Sequence, residues 1–337
     1  MDPGPYGRVA SQARDAYSLL TENGEVEARL SGKLRFDAEA KEALHPAVGD
    51  WVRLSWHNDG TSALIHEVLP RTSKFSRNAA GKGVHEQIVA TNVDVVFLVN
   101  ALNLDFNLRR IERYLALAWE SGATPVVLLT KADLCDDVEA RCEAVRAIAP
   151  GVPVHALSAS AGTGLEALDT YLRPGKTVAL LGSSGAGKST LFNRLLGSDR
   201  QQVQAVRDGD DRGRHTTTRR ELVLLPSGAL ALDTPGMREL QLWEGGDGIQ
   251  ETFAEIAAFA ARCRFRDCRH DAEPGCAVRT ALEAGVLDAE RLASFRKLER
   301  EAAYQLAKVD ANAERSRKQR IKELTSHLKR HYEGRER

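Results

Sequence analysis

Thr177-Val178-Ala179-Leu180-Leu181-Gly182-Ser183-Ser184-Gly185-Ala186-Gly187-Lys188-Ser189-Thr190-Leu191-Phe192 runs an apolar strand into a glycine-rich turn and then into a helix. The glycines let backbone N–H groups turn inward, and the helix N-terminus adds a field that favours anions. Gly-x4-Gly-Lys-Ser in this setting is a phosphate-binding loop. Gly182, Ser183, Ser184, Gly185, Ala186, Gly187, Lys188, Ser189 and Thr190 are the expected contacts, with Lys188 on the outer phosphates and Ser189 on Mg²⁺.

The surrounding chain repeats the strand-then-helix pattern. Continuous apolar runs at 93–99, 125–129, 152–157 and 177–181 read as strands buried on both faces. Helical spacing follows at 108–119, 139–148, 165–172 and 189–196, and 222–225 with 230–232 make a hairpin-like pair. Such alternation predicts a doubly wound, largely parallel sheet over residues 81–245.

Thr130-Lys131-Ala132-Asp133 closes the second of these strands and precedes the phosphate loop. The Asp133 carboxylate can accept both the N1–H and the exocyclic amine of guanine, a donor pair that adenine lacks. The Lys131 stem can lie against the ring. Thr130 stands where Asn is usual, which weakens a supporting contact. Ser158-Ala159 ends the third strand and suits a second base-side loop. Asp233-Thr234-Pro235-Gly236 comes last, with Asp233 expected to reach Mg²⁺ through water and the Gly236 N–H to sense a γ-phosphate. Whereas the ordinary order is phosphate loop, Asp-x-x-Gly, base loop, the motif order here is therefore base loop, phosphate loop, Asp-x-x-Gly. It also runs the chain from Gly236 directly toward a cysteine cluster, so the γ-phosphate state is expected to pass to that cluster.

Gly213-Arg214-His215-Thr216-Thr217-Thr218 lies between the two phosphate motifs. A threonine here can reach Mg²⁺ only when the γ-phosphate is present, and Thr217 is the chosen one. Met237 follows Gly236 where many such sites carry a water-orienting glutamine. His215 is then the candidate to position water, and contact with a partner is the rival role.

Five short alternating strands before residue 80 suit a small barrel of the OB type, residues 1–80, as an RNA-binding part. Residues 71–86 are polar and read as a linker. Cys263-x4-Cys268-x-His270-x5-Cys276 offers three thiolates and an imidazole, which suit one structural, tetrahedral Zn²⁺ within a mostly helical part, 246–337. Arg262, Arg264, Arg266 and Arg269 stud the cluster as an RNA-facing surface or a solvated face. Phe265 either stacks on a base or packs inside. Residues 296–337 hold thirteen Lys/Arg against seven Asp/Glu, a basic tail that backbone phosphates would attract.

The 337 residues balance 47 Lys+Arg against 47 Asp+Glu, so any nucleic-acid surface must be local. No eighteen-residue apolar run exists, so no membrane span is expected, and the start lacks a signal-peptide pattern. With five cysteines, an odd number, a reducing, cytoplasmic setting is expected.

This order, with a barrel in front and a Cys/Cys/His/Cys knuckle behind, resembles the circularly permuted ribosome small-subunit-dependent GTPase A family (RsgA/YjeQ). Residues 101–110, Ala-Leu-Asn-Leu-Asp-Phe-Asn-Leu-Arg-Arg, and the His-Thr-Thr-Thr run belong to the same likeness. The resemblance implies an OB barrel, a permuted GTPase domain and a zinc domain that bind the small ribosomal subunit in late maturation. It implies hydrolysis of GTP stimulated by that subunit, whose rRNA is the expected partner; a monomer is expected. An RNA-binding factor whose affinity nucleotide merely toggles, and an ATP-dependent small-molecule kinase, are the competing readings. Asp133 argues against the kinase.

Overall fold

The computed structural model describes residues 5–13, 16–40, 44–57, 60–78, 86–197, 221–233 and 246–308. Near the N-terminus, β1 (Tyr6–Gln12), β2 (Tyr17–Thr21), β3 (Gly24–Leu30), β4 (Trp51–His57) and β5 (Ser62–Val68) pair in the order β1-β2-β3-β5-β4. Pairing of β1 with β4, at Tyr6↔Arg53 and Arg8↔Trp51, closes the barrel. Period-2 alternation builds it. Val26 and Ala28 point in while Glu25, Glu27 and Arg29 point out, and Val9, Leu19, Val52, Leu54 and Ile65 complete the core.

Between β3 and β4 lies a helix absent from the sequence reading, α1 (Gly32–Glu39), capped by Ser31 Oγ accepting the Leu34 N–H. Leu34, Phe36 and Ala38 alternate like a strand. Yet Leu34 and Ala38, an i,i+4 pair, are the buried ones, and Phe36 faces solvent.

The stretch read as a linker is not one throughout. Lys74–Asn78 forms β6 and pairs antiparallel with β7, Glu86–Thr91. Arg71 grips Asp50 of the barrel through Nε–Oδ1 at 2.8 Å and a second nitrogen to Oδ2 at 2.7 Å, both side chains being buried. Its charge serves a fork-to-carboxylate bond rather than solvation.

The central sheet contains β8 (Val95–Ala101), β9 (Thr124–Thr130), β10 (Val154–Ala156), β11 (Thr177–Gly182), β12 (Glu221–Leu224) and β13 (Leu230–Asp233). Their order is β10-β9-β8-β11-β13-β12. The first five are parallel and β12 runs antiparallel to β13. Every residue of β8 and β11 is buried, as a strand covered on both faces must be. One face carries α2 (Leu108–Ser121) and α3 (Val138–Ile148), and the other carries α4 (Lys188–Leu196). The helix expected over 165–172 reduces to a single 3-10 turn, Leu165–Leu168. A bridge between β1 and β12, Ser11↔Glu221, joins the barrel to this sheet.

The C-terminal part is helical, with α5 (Asp247–Thr252), α6 (Ala254–Ala260), α7 (Ala277–Glu283) and α8 over residues 289–308. Ile249, Phe253, Ile256, Val278, Leu292 and Phe295 share one core with Ile111 and Leu115 of α2. Contact is closest at Gly248, where a Cβ would lie 2.1 Å from the Ala116 carbonyl oxygen.

Candidate functional site

The C-terminal ends of β9, β10, β11 and β13 meet at one edge of the sheet, where an open α/β sheet binds ligands. β11 delivers the phosphate loop. Gly185 and Gly187 take φ of 74° and 86°, a left-handed backbone that lets the loop curl. α4 starts at Lys188 with no side-chain cap, so its first N–H groups are not engaged by a capping side chain. Lys188 Nζ donates to the carbonyls of Gly182 at 2.9 Å and Ser183 at 2.5 Å, which fixes the ammonium over the loop.

Two independent ties fasten the base-side loops to this unit. Thr130, buried at the end of β9, donates its hydroxyl to the Ala186 carbonyl at 2.6 Å. From the position where Asn is usual, Thr130 thus makes a contact of its own to the phosphate loop. Arg194 of α4 donates to the carbonyls of Ala159 at 2.9 Å and Ser160 at 3.1 Å. The two base loops also meet each other, because the Ala132 N–H bonds the Leu157 carbonyl at 3.2 Å. Lys131 sits in a left-handed conformation with φ 58°, and Asp133 is exposed on the 3-10 turn Ala132–Leu134. Ser158 is fully buried, its Oγ accepting the Ala161 N–H at 3.1 Å and lying 3.0 Å from Ser160 Oγ.

Thr130, Lys131, Ala132, Asp133, Ser158, Ala159 and residues 182–190 therefore line one end of the sheet. Asp233 ends β13 beside β11 at that same end. Gly236, Met237, His215 and Thr217 lie outside the described residues.

Sequence reasoning missed two groups. Arg194 carries no motif, and only its position on α4 explains it. Asp105 follows β8, and its Oδ2 accepts the Ser183 hydroxyl at 2.5 Å and an Arg110 N–H at 2.6 Å. Partial burial opposes ionisation of this carboxyl, but the bonds from Arg110 and Ser183 and the Arg110 charge outweigh it and hold it below the usual carboxylate range.

Cys263, Cys268, His270 and Cys276 present ligand atoms all within 4.8 Å of one another. The Cys263 and Cys276 sulfurs are 3.9 Å apart and lie 3.6 and 3.5 Å from His270 Nδ1. A tetrahedral zinc with bonds of about 2.3 Å to sulfur and about 2.0 Å to nitrogen has ligand edges of roughly 3.5–3.8 Å, so the set fits that ion. The supporting loop is built around Glu273. Its carboxylate accepts the N–H groups of Arg269 and Asp271 at 2.9 Å and of Ala272 at 3.1 Å. Backbone donors, led by Arg269 and Glu273 itself, hold that carboxyl down to about 2. The bonds brace His270 in its left-handed conformation, φ 63°. Phe265 is exposed with the Arg264 guanidinium 5.5 Å over its ring, so it does not pack inside. Residues 309–337 of the basic tail lie outside the described residues.

The family model of the RsgA GTPase matches residues 68–243, which contain both the base loop and the phosphate loop. The chain belongs to the RsgA GTPase family. A small ribosomal subunit biogenesis GTPase RsgA of Opitutus terrae is 52% identical over 93% of this chain and 89% of its own. The small ribosomal subunit biogenesis GTPase RsgA 2 of Lactiplantibacillus plantarum is 51% identical over 89% and 84%. The crystal structure of YjeQ from Thermotoga maritima superposes with a TM-score of 0.67 at 27% identity, covering 90% of this chain and 98% of that one. A second family model, that of the ABC transporter, matches residues 165–328, a stretch that holds the phosphate loop but not Thr130–Asp133. No helix among the described residues is long and apolar enough to cross a membrane. Membership of the RsgA GTPase family makes the chain a GTP hydrolase, and the order of its loops along the chain is the permuted one.

Proposed function

We propose that this chain hydrolyses GTP in the biogenesis of the small ribosomal subunit, with that subunit as its partner and its stimulator. The observation that carries the reading is the pair of ties from Thr130 to Ala186 and from Arg194 to Ala159. They hold a guanine-selective carboxylate and a phosphate cradle in one rigid frame. Such preorganisation is what differential binding of a transition state requires.

Lys188 and the backbone donors of 182–190 bind the phosphates, and Asp133 selects the base. Ser189 lies in the first turn of α4 and Asp233 is the last residue of β13, and a hydroxyl and a carboxylate are the oxygen donors that would suit Mg²⁺. An ion held by these two side chains would supply charge neutralisation at the β- and γ-phosphates. Thr217 orders the switch around that charge, Gly236 reads the γ-phosphate, and His215 orients the attacking water. The zinc ligands are Cys263, Cys268, His270 and Cys276, in a structural site with no open position. Residues 1–80 and 246–337 flank the hydrolase, 81–245, as rRNA-binding parts of a cytosolic monomer.

Turnover of GTP and ATP with and without purified small subunits tests the reading. Stimulation of GTP turnover by orders of magnitude, with ATP inert, is the expected result. Subunit binding that depends on nucleotide without stimulated turnover would favour the affinity-toggle reading, and equal use of ATP would remove the role of Asp133. His215→Ala should abolish the stimulated rate, and an unchanged rate would assign His215 to partner contact.

A further inference from the structure

The loop between β8 and α2 is built like a bracket. The Asn103 side chain accepts the Asp105 N–H at 3.1 Å, and Asn107 caps α2 by accepting the Arg110 N–H at 3.0 Å. Arg110 then returns to Asp105, bonding its carboxylate at 2.6 Å and its carbonyl at 3.3 Å. Through this bracket the hydroxyl of Ser183, the residue that opens the phosphate loop after Gly182, is fixed to the first turn of α2.

The same turn of α2 and the one after it hold the C-terminal helices. Arg109 pairs with Asp288 at 3.0 Å and Glu290 at 3.5 Å, and also with Glu112 on its own helix. Glu112, fully buried, receives Arg291 at 2.9 Å. Arg291 reaches on to Glu255 at 2.6 Å and the Thr252 carbonyl at 2.7 Å, and Arg113 pairs with Glu301. A buried charge that loses a partner is costly, so these pairs enforce one register between α2 and α8. Packed helices joined in this way shift between discrete positions rather than deform smoothly.

We propose that Asp105 is a positioning residue of the GTP site, and that its bond to Ser183 carries the nucleotide state into α2 and on to α8. The inference rests on residues 182–190 being the phosphate site. Asp105 is anionic, and a second anion arriving in the loop acts on it directly. Arg110 offsets its charge enough for it to stay in place. The route differs from a direct one through Gly236, because it leaves from the first residues of the loop and enters the C-terminal part at α8.

The test uses the full chain. Amide hydrogen exchange over residues 288–301 is compared with GDP and with a non-hydrolysable GTP analogue bound, for wild type, Asp105→Ala, Asp105→Asn and Ser183→Ala, with nucleotide affinity and the KM and kcat for GTP measured alongside. Wild type should show a nucleotide-dependent difference in 288–301. Asp105→Ala and Ser183→Ala should erase it and raise KM about tenfold, the effect of one charge-assisted hydrogen bond, while kcat changes less. Asp105→Asn, which keeps an acceptor for Ser183, should retain part of the difference. The double variant should be no worse than either single one, because both remove the same bond. A difference in 288–301 that survives in Asp105→Ala, additive KM effects, or no difference in wild type would each overturn the proposal. Nucleotide affinity that Lys188→Ala leaves unchanged would instead overturn the reading of the phosphate site.

Discussion

The Thr130 hydroxyl has one proton, and it goes to Ala186 at 2.6 Å rather than to the Asn100 carbonyl at 3.5 Å. Thr130→Val keeps the shape and removes the donor, so a buried carbonyl loses its partner. GTP affinity should fall about five- to tenfold, and Thr130→Ser should restore it, as titration calorimetry can show. Asp133 is exposed, and in the proposed function it selects the base rather than bracing the frame. Asp133→Ala should weaken GTP at least about 100-fold by loss of two charge-assisted bonds while leaving ATP binding unchanged. A parallel loss for both nucleotides would remove Asp133 from base recognition. At the knuckle, Glu273→Ala frees the N–H groups that brace His270. Zinc affinity, read by chelator competition, should drop about tenfold, the usual cost of losing an outer-shell support. The braces that join distant parts of the chain were not legible in the sequence. Thr130 and Ala186 stand 56 positions apart and Asp105 and Ser183 stand 78 apart, and no local spacing encodes such a meeting.

Among the elements, those with a strong period were legible and those with a mixed one were not. β8 and β11 are continuous apolar runs, and only a strand covered on both faces uses such a run in so short a length. Leu34, Phe36 and Ala38 alternate, so α1 was invisible until the barrel showed which two of them it buries. Residues 74–78 carry Lys74 and Arg77 and were read as linker. They form a strand because β7 is at hand to pair with them, which is tertiary context overriding composition. Crossing of α5 over α2 depends on the bare Cα of Gly248. Gly248→Ala sets a methyl group against backbone that cannot yield, and should cost about 1–3 kcal/mol in a denaturant melt. An unchanged midpoint would mean that the two helices part readily.

At the scale of the whole molecule, the knuckle stands on the same core as the hydrolase, since Cys276 and Val278 share a cluster with Ile111 and Leu115. Removing the metal with a strong chelator should therefore lower the melting temperature of the full chain and speed amide exchange over 263–283. Exchange there that ignores the chelator would show that the four ligands hold no structural ion. At the opposite end, the barrel meets the central sheet through the Ser11↔Glu221 bridge and the Arg8 side chain. Arg8 crosses to the Asn92 carbonyl at 2.7 Å and to Thr177 Oγ1 at 3.1 Å. Burial, opposed by Asp94 and Asp50, lowers its pKa to about 10, so it stays a cation at neutral pH. This joint sets a limit on dissection. A fragment that begins after the barrel would strand two acceptors once met by a guanidinium and lay bare the β12 edge, an invitation to intermolecular strand pairing. The barrel is thus a lid on the rim of the catalytic sheet, and cutting it away should yield an insoluble hydrolase rather than a minimal one.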